Sequence, residues 1–184
     1  MDRRQRKTRE AIFTAFIELL SKKDFAHITV EEIINAADIG RATFYSHFET
    51  KDSLLKELCE ELFCHLFDSM GENKDGHKHI FECDPPESVF LHLIRHLQKN
   101  DNNISALLSC PNNDLFLQYF KRNLKKLVAD QICLFETEKN SGLPRDFLIN
   151  HITATFVETI KWWTENGMKE SSETITGYFF SAVR

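Results

Sequence analysis

Gly40-Arg41-Ala42-Thr43-Phe44-Tyr45-Ser46-His47-Phe48, with Thr29-Val30-Glu31-Glu32-Ile33 ahead of it and Lys51-Asp52-Ser53-Leu54-Leu55 behind, decides the fold. Thr29 and Glu32 have the spacing of a capping box, and Ile28 and Ile33 stand where a hydrophobic staple closes a helix start. A short helix over about 30–37 follows, then a tight turn, then a second helix over 41–47. In that second helix Phe44 and Phe48 are four residues apart and share the inner face, while Arg41, Ala42, Thr43, Tyr45 and His47 lie toward its N-terminal end or outward. The outline is a helix-turn-helix.

The outward set suits DNA. Arg41 offers two donors to a guanine edge, Ala42 fits a thymine methyl, and Thr43, Tyr45 and His47 carry groups for bases or phosphate oxygens. Lys51 opens the next helix, adding a charge and an amide directed at a phosphate.

On these residues the chain resembles the N-terminal DNA-binding domain of TetR-family transcriptional regulators. The match runs from Thr29 through Leu55, and the resemblance covers residues 8–56. It implies that Thr29, Gly40, Arg41, Ala42, Thr43, Tyr45, His47 and Lys51 form the DNA-binding set, with Arg41 and Ala42 reading bases. Two positions depart from the family pattern: Asp38 replaces the usual turn glycine, and Gly40 replaces a frequent serine cap. Aspartate tolerates the left-handed conformation, whereas Gly40 offers no side-chain cap.

Outward from the motif, helical periodicity continues to the end of the chain. Ile12, Phe13, Phe16, Ile17 and Leu20 form one stripe over about 4–22; Leu54, Leu55, Leu58, Leu62 and Leu66 form another over 51–70. Asp84-Pro85-Pro86-Glu87 is expected to open a helix to about 99. A long helix is expected beyond Asn112, with Phe116, Phe120, Leu124, Leu127 and Phe135 inward, ending near Asn140-Ser141-Gly142. Leu148, Ile152, Phe156, Ile160 and Trp163 mark a helix over 145–166 that stops at Gly167. Ser171 caps the last helix, 171–183. The expected class is all-α, about nine helices: a three-helix DNA-binding domain, residues 1–50, and a helical ligand-binding and dimerisation domain, residues 51–184.

The segment Ile160 to Met168, with Pro144 to Leu148 before it, is similar to the C-terminal domain of some short TetR-like regulators. That resemblance implies a homodimer formed by helices 145–166 and 171–183. It further implies a ligand pocket framed by the helices before them, with a small molecule as effector. Polar or aromatic groups within the stripes, His92, His96, Tyr119, His151, Thr155 and Phe156, are the candidates to hold that ligand. The implied function is a regulator, a repressor released by an inducer, bound to a palindromic double-stranded operator. The alternative is an activator or adaptor whose C-terminal half binds a protein.

Composition bounds the rest. The 184 residues carry 23 Lys+Arg and 28 Asp+Glu, net −5. The distribution is uneven: residues 1–56 hold ten bases and nine acids, while residues 57–184 hold thirteen and nineteen. Within residues 1–9 five bases face one acid, a tip that is either a flexible arm along phosphates or in the adjacent minor groove, or an ordinary basic terminus that binds nothing. Five scattered cysteines without a Cys-x-x-Cys pair suggest neither disulfides nor a zinc ribbon, and a cytoplasmic setting is expected. No apolar run of membrane-spanning length occurs. His77, His79 and Cys83, with His65 upstream, match no familiar ligand spacing, so no metal and no cofactor are expected. No nucleophile–base pattern or phosphate loop suggests an enzyme.

Overall fold

The computed structural model describes residues 3–20, 22–70, 88–98, 114–138 and 140–184. Among these residues there are eight α-helices and no strand, as the periodicity predicts. They are α1 (Arg3–Leu20), α2 (Val30–Ala36), α3 (Arg41–His47), α4 (Lys51–Met70), α5 (Val89–Gln98), α6 (Asp114–Asp130), α7 (Arg145–Glu165) and α8 (Ser172–Val183). Two single 3-10 turns, Phe25–His27 and Ile132–Leu134, complete the regular structure. His77, His79, Cys83 and the expected Asp84-Pro85-Pro86-Glu87 helix start lie outside the described residues. Within them α5 begins at Val89, where the Ser88 hydroxyl accepts from the Leu91 amide at 3.4 Å.

Among the described residues one apolar core runs from Ile12 to Val183. Ile12, Phe13 and Phe16 of α1 meet Ile33 of α2, Phe44 of α3 and Phe48, all essentially without solvent exposure. The Phe13 and Phe48 rings meet edge to face at 5.4 Å, an arrangement that the ring quadrupoles favour. Farther along, Leu54, Leu58 and Leu62 bury the inner side of α4, which packs on α6 and α5. Phe90, Phe135, Phe156, Phe179 and Phe180 then fill the space between α5, α7 and α8, their ring centroids 5.1–6.0 Å apart.

The expected long helix beyond Asn112 is shorter than periodicity alone implies. It ends at Asp130 and Phe135 is delivered to the core by the 3-10 turn that follows. Side chains compete for the backbone there. Asn140 Nδ2 donates to the Phe135 carbonyl at 2.7 Å, and Asn140 Oδ1 accepts from the Thr137 amide at 2.8 Å. Arg145 reaches the Ala129 carbonyl and Arg184 the Leu134 carbonyl, so groups that a continuing helix would use are satisfied otherwise.

The basic tip is part of the first helix. It is helical from Arg3, consistent with a run free of glycine, proline and β-branched residues until Thr8. Arg9 turns inward, paired with Glu57 and Glu61 of α4 and lying over the Phe13 and Phe48 rings. Its charge clamps α1 to α4, leaving Arg3, Arg4, Arg6 and Lys7 exposed on the first turns.

Candidate nucleic-acid interface

The local chemistry of residues 28–48 sets the pose of α3. Thr29 caps α2 by accepting from the Glu32 amide at 3.2 Å, and the Glu32 carboxylate accepts from the Thr29 amide at 2.9 Å. Both halves of the capping box are therefore present. Lys23 also pairs with Glu32, and this partner, followed by the two Thr29 hydrogen bonds, lowers the Glu32 pKa to about 2. Ile28 and Ile33 are both buried in the core, as a staple requires.

The turn is made at Asp38, whose φ is +51°, in the left-handed region. Its amide donates to the Asn35 carbonyl, and the Ile39 amide to the Ile34 carbonyl. Gly40 then takes an extended N-cap conformation, φ −77° and ψ 153°, without a side-chain cap. The two departures from the usual pattern thus have different consequences: Asp38 accepts a strained backbone, while Gly40 leaves one cap unmade.

On α3, Phe44 is buried and Arg41, Ala42 and Tyr45 are exposed. Tyr45 shows 46% of its surface although its ring also touches Phe44, which holds the hydroxyl end outward. The Arg41 guanidinium lies 6.0 Å from the centre of the Tyr45 ring, so the two form one projecting pair. Thr43 and His47 are half-buried along the edge of the same helix. The structure therefore brings Arg41, Ala42, Thr43, Tyr45 and His47 to one surface.

Lys51 and Thr29 behave differently from that set. The Lys51 ammonium donates to the carbonyls of Phe25, Ala26 and Ile28 at 3.0, 3.2 and 2.9 Å and lies over the Phe25 ring. Its charge, expected to face a phosphate, is engaged inside the fold. The Thr29 hydroxyl is likewise occupied by Glu32. The capping box announces the role of Thr29, but spacing along the sequence does not disclose that of Lys51, because the carbonyls it meets are 23 to 26 residues away.

The six expected ligand residues do not form one group. His92 and His96 are buried on α5 and meet His65 of α4, with ring centroids 4.9–5.0 Å apart. Phe156 is part of the buried phenylalanine cluster. Tyr119, half-buried on α6, lies against the Arg122 guanidinium. His151 is exposed and stacks on Phe147, and Thr155 faces a groove of about 600 Å³ with Glu158, Trp162 and Tyr178. Trp162 and Tyr178 are about half exposed, whereas Trp163 is fully buried, its indole N–H donating to the Glu170 carbonyl at 3.1 Å.

The chain is similar to known proteins over both halves. Residues 12–58 match the family model described as "Bacterial regulatory proteins, tetR family", and residues 84–184 match one described as "Transcriptional regulator C-terminal region". The structure is similar to that of a TetR transcriptional regulator from Streptococcus agalactiae, with 36% identity and a TM-score of 0.75, over 100% of this chain and 97% of that one. In sequence, the chain is 39% identical over 79 residues to the uncharacterized HTH-type transcriptional regulator YxbF of Bacillus subtilis, covering 40% of this chain and 21% of that protein. It is 27% identical over 126 residues to DhaS, the dhaKLM operon transcriptional activator of Lactococcus lactis, covering 67% of this chain and 62% of that protein. These curated relatives are thus matched over less than two thirds of their length.

Proposed function

Because the chain belongs to the tetR family of DNA-binding transcriptional regulators, we propose that it acts as a homodimeric repressor on a pseudo-palindromic operator and is released by a small effector. The projecting Arg41–Tyr45 pair carries the DNA half of this reading. It stands on a rigid helix whose far side is locked by Phe44 and Phe48, with Ala42, Thr43 and His47 beside it. Arg41 and Ala42 read base edges; Thr43, Tyr45 and His47 hold phosphates or flanking bases. Thr29 and Gly40 shape the motif by capping or failing to cap, and Lys51 anchors it from behind.

The dimer half rests on α7 and α8. Their outward side presents Phe147, Trp162 and Tyr178, each at least 46% exposed, and the last two line an apolar groove with Thr155 and Ala182. Large aromatics of this kind are enriched where subunits meet. Pairing of α7 and α8 with their copies places the two α3 helices in successive major grooves roughly 34–36 Å apart. An effector that prefers a different spacing lowers operator affinity by its differential affinity for the two states.

Selection of bound sites from random double-stranded DNA at stated salt tests the whole reading. Enrichment of a palindrome with half-sites about one helical turn apart is expected; enrichment of no sequence would overturn it. A second reading, an activator, is favoured by the similarity to the activator DhaS. Transcription from a promoter carrying the selected site, with and without the protein, separates the two by sign.

A further inference from the structure

The cluster formed by His65, His92 and His96 is not explained by DNA binding or by the expected dimer. All three imidazoles are buried, with 8%, 2% and 6% of their surface exposed. Their centroids form a nearly equilateral triangle of 5.0, 5.0 and 4.9 Å. One ring nitrogen from each lies within 4.8 Å of the other two, and the Nε2 atoms of His92 and His96 are 3.1 Å apart.

We propose that His65, His92 and His96 bind a divalent transition-metal ion of the zinc class, and that this ion is the effector that α4 transmits to the DNA-binding motif. The coupling to DNA rests on the regulator reading above; the site itself does not. Bonds of about 2.0–2.1 Å from nitrogen to a tetrahedral zinc ion separate the nitrogens by about 3.3 Å. The His92–His96 pair is already near that separation. The i, i+4 spacing on α5 places two imidazoles on one helix face, a known arrangement for zinc ligands, and His65 supplies the third from the facing helix. An all-imidazole set favours zinc, copper, nickel, cobalt or iron over magnesium or calcium, which take oxygen. Binding releases any proton carried by a coordinating nitrogen, and no redox change is involved.

The location gives the site a mechanical consequence. His65 is fourteen residues beyond Lys51 on the same helix, about 21 Å along its axis. At the near end Lys51 ties α4 to Phe25, Ala26 and Ile28, ahead of α2. At the far end the ion joins α4 to α5. Drawing His65 toward α5 therefore changes the inclination of the element that carries the helix-turn-helix.

The test uses the full chain stripped with a chelator and titrated with Co²⁺, then Zn²⁺. One equivalent of Co²⁺ per chain, giving visible ligand-field bands that Zn²⁺ displaces, is expected. In the wild-type protein, Zn²⁺ should shift the imidazole nitrogen resonances of three of the eight histidines. His92→Gln and His96→Gln should each lose the one-equivalent binding, while His27→Gln, altered at an exposed ring, retains it. Absence of Co²⁺ and Zn²⁺ binding at micromolar concentration, or shifts at other histidines, would overturn the site even if a variant misfolds. DNA binding by the metal-stripped protein tests the regulator reading separately. A change of about tenfold or more in operator affinity at saturating Zn²⁺ supports the coupling; equal affinity with the ion bound would sink the coupling and leave the site standing.

Discussion

The ammonium of Lys51 lies 2.9 Å from the carbonyl oxygen of Ile28, so the first residue of α4 grips the residue immediately before the cap of α2. Two further carbonyls, of Phe25 and Ala26, share the same charge. A cation at the start of a helix is unfavourable to the helix dipole, and the three acceptors offset that. Lys51 thereby ties the start of α4 to the segment that leads into α2.

Replacing this lysine tests that role. Lys51→Met is expected to destabilise the fold by about 1–3 kcal/mol, the scale of a hydrogen-bonded charge. It should weaken binding to all DNA sequences while leaving the slope of log affinity against log salt unchanged. Unfolding by urea and binding measured over a salt series check both parts. A salt slope reduced by about one with stability unchanged would instead mark a phosphate contact.

Arg41→Ala removes a side chain exposed at the start of α3. The expected loss on the preferred operator is about 1–3 kcal/mol, with relaxed preference at one base position in each half-site. Competition between the selected site and single-base variants of it would reveal the change. The same loss on random DNA would contradict a base-reading role.

Gly40 is a substitutable position. Its φ of −77° suits any L-residue at an N-cap, and an added Cβ meets only the Thr43 hydroxyl, at 3.7 Å. Gly40→Ser should add the missing cap and raise stability by a few tenths of a kcal/mol. A shift in the thermal midpoint checks it; a lower midpoint would show that the cap geometry is not reached.

Acid should weaken the capping box in a defined window. The Glu32 pKa is lowered from 4.5 to about 2, chiefly by Lys23 and then by Thr29. Because the folded value is the lower one, the stabilisation is fully present above 4.5 and is lost as pH falls toward 2. The difference in thermal midpoint between wild type and Glu32→Gln should therefore be constant near neutrality and shrink between those values. A difference that stays constant down to pH 2 would contradict the pairing.

The exposed rings of Trp162 and Tyr178 lie 6.4 Å apart on α7 and α8. Burying each against a partner is worth on the order of 2 kcal/mol. Trp162→Glu should convert a species of twice 21.5 kDa into a single chain by light scattering, without loss of helical circular dichroism. An unchanged mass would move the interface elsewhere.

Local signals made much of this molecule legible. The capping box at Thr29, the left-handed turn at Asp38, the uncapped start at Gly40 and the Ser171 cap each depend on residues within five positions of one another. Helical period likewise assigned Phe44 and Phe48 inward and Arg41 and Tyr45 outward. The end of α6 was less legible, because Arg145 and Arg184 act on it from 16 and 50 residues away.

What the sequence by itself determined was therefore the set of helices, their inner faces and the chemistry carried on α3, since those follow from caps and periodicity acting over a few residues. Only the tertiary structure decided that Lys51 spends its charge on three backbone carbonyls, that Arg9 clamps α1 to α4, and that His65 meets His92 and His96. The reason is physical. Each of these contacts joins groups far apart in the chain, and their meeting depends on how helices pack around a common apolar core.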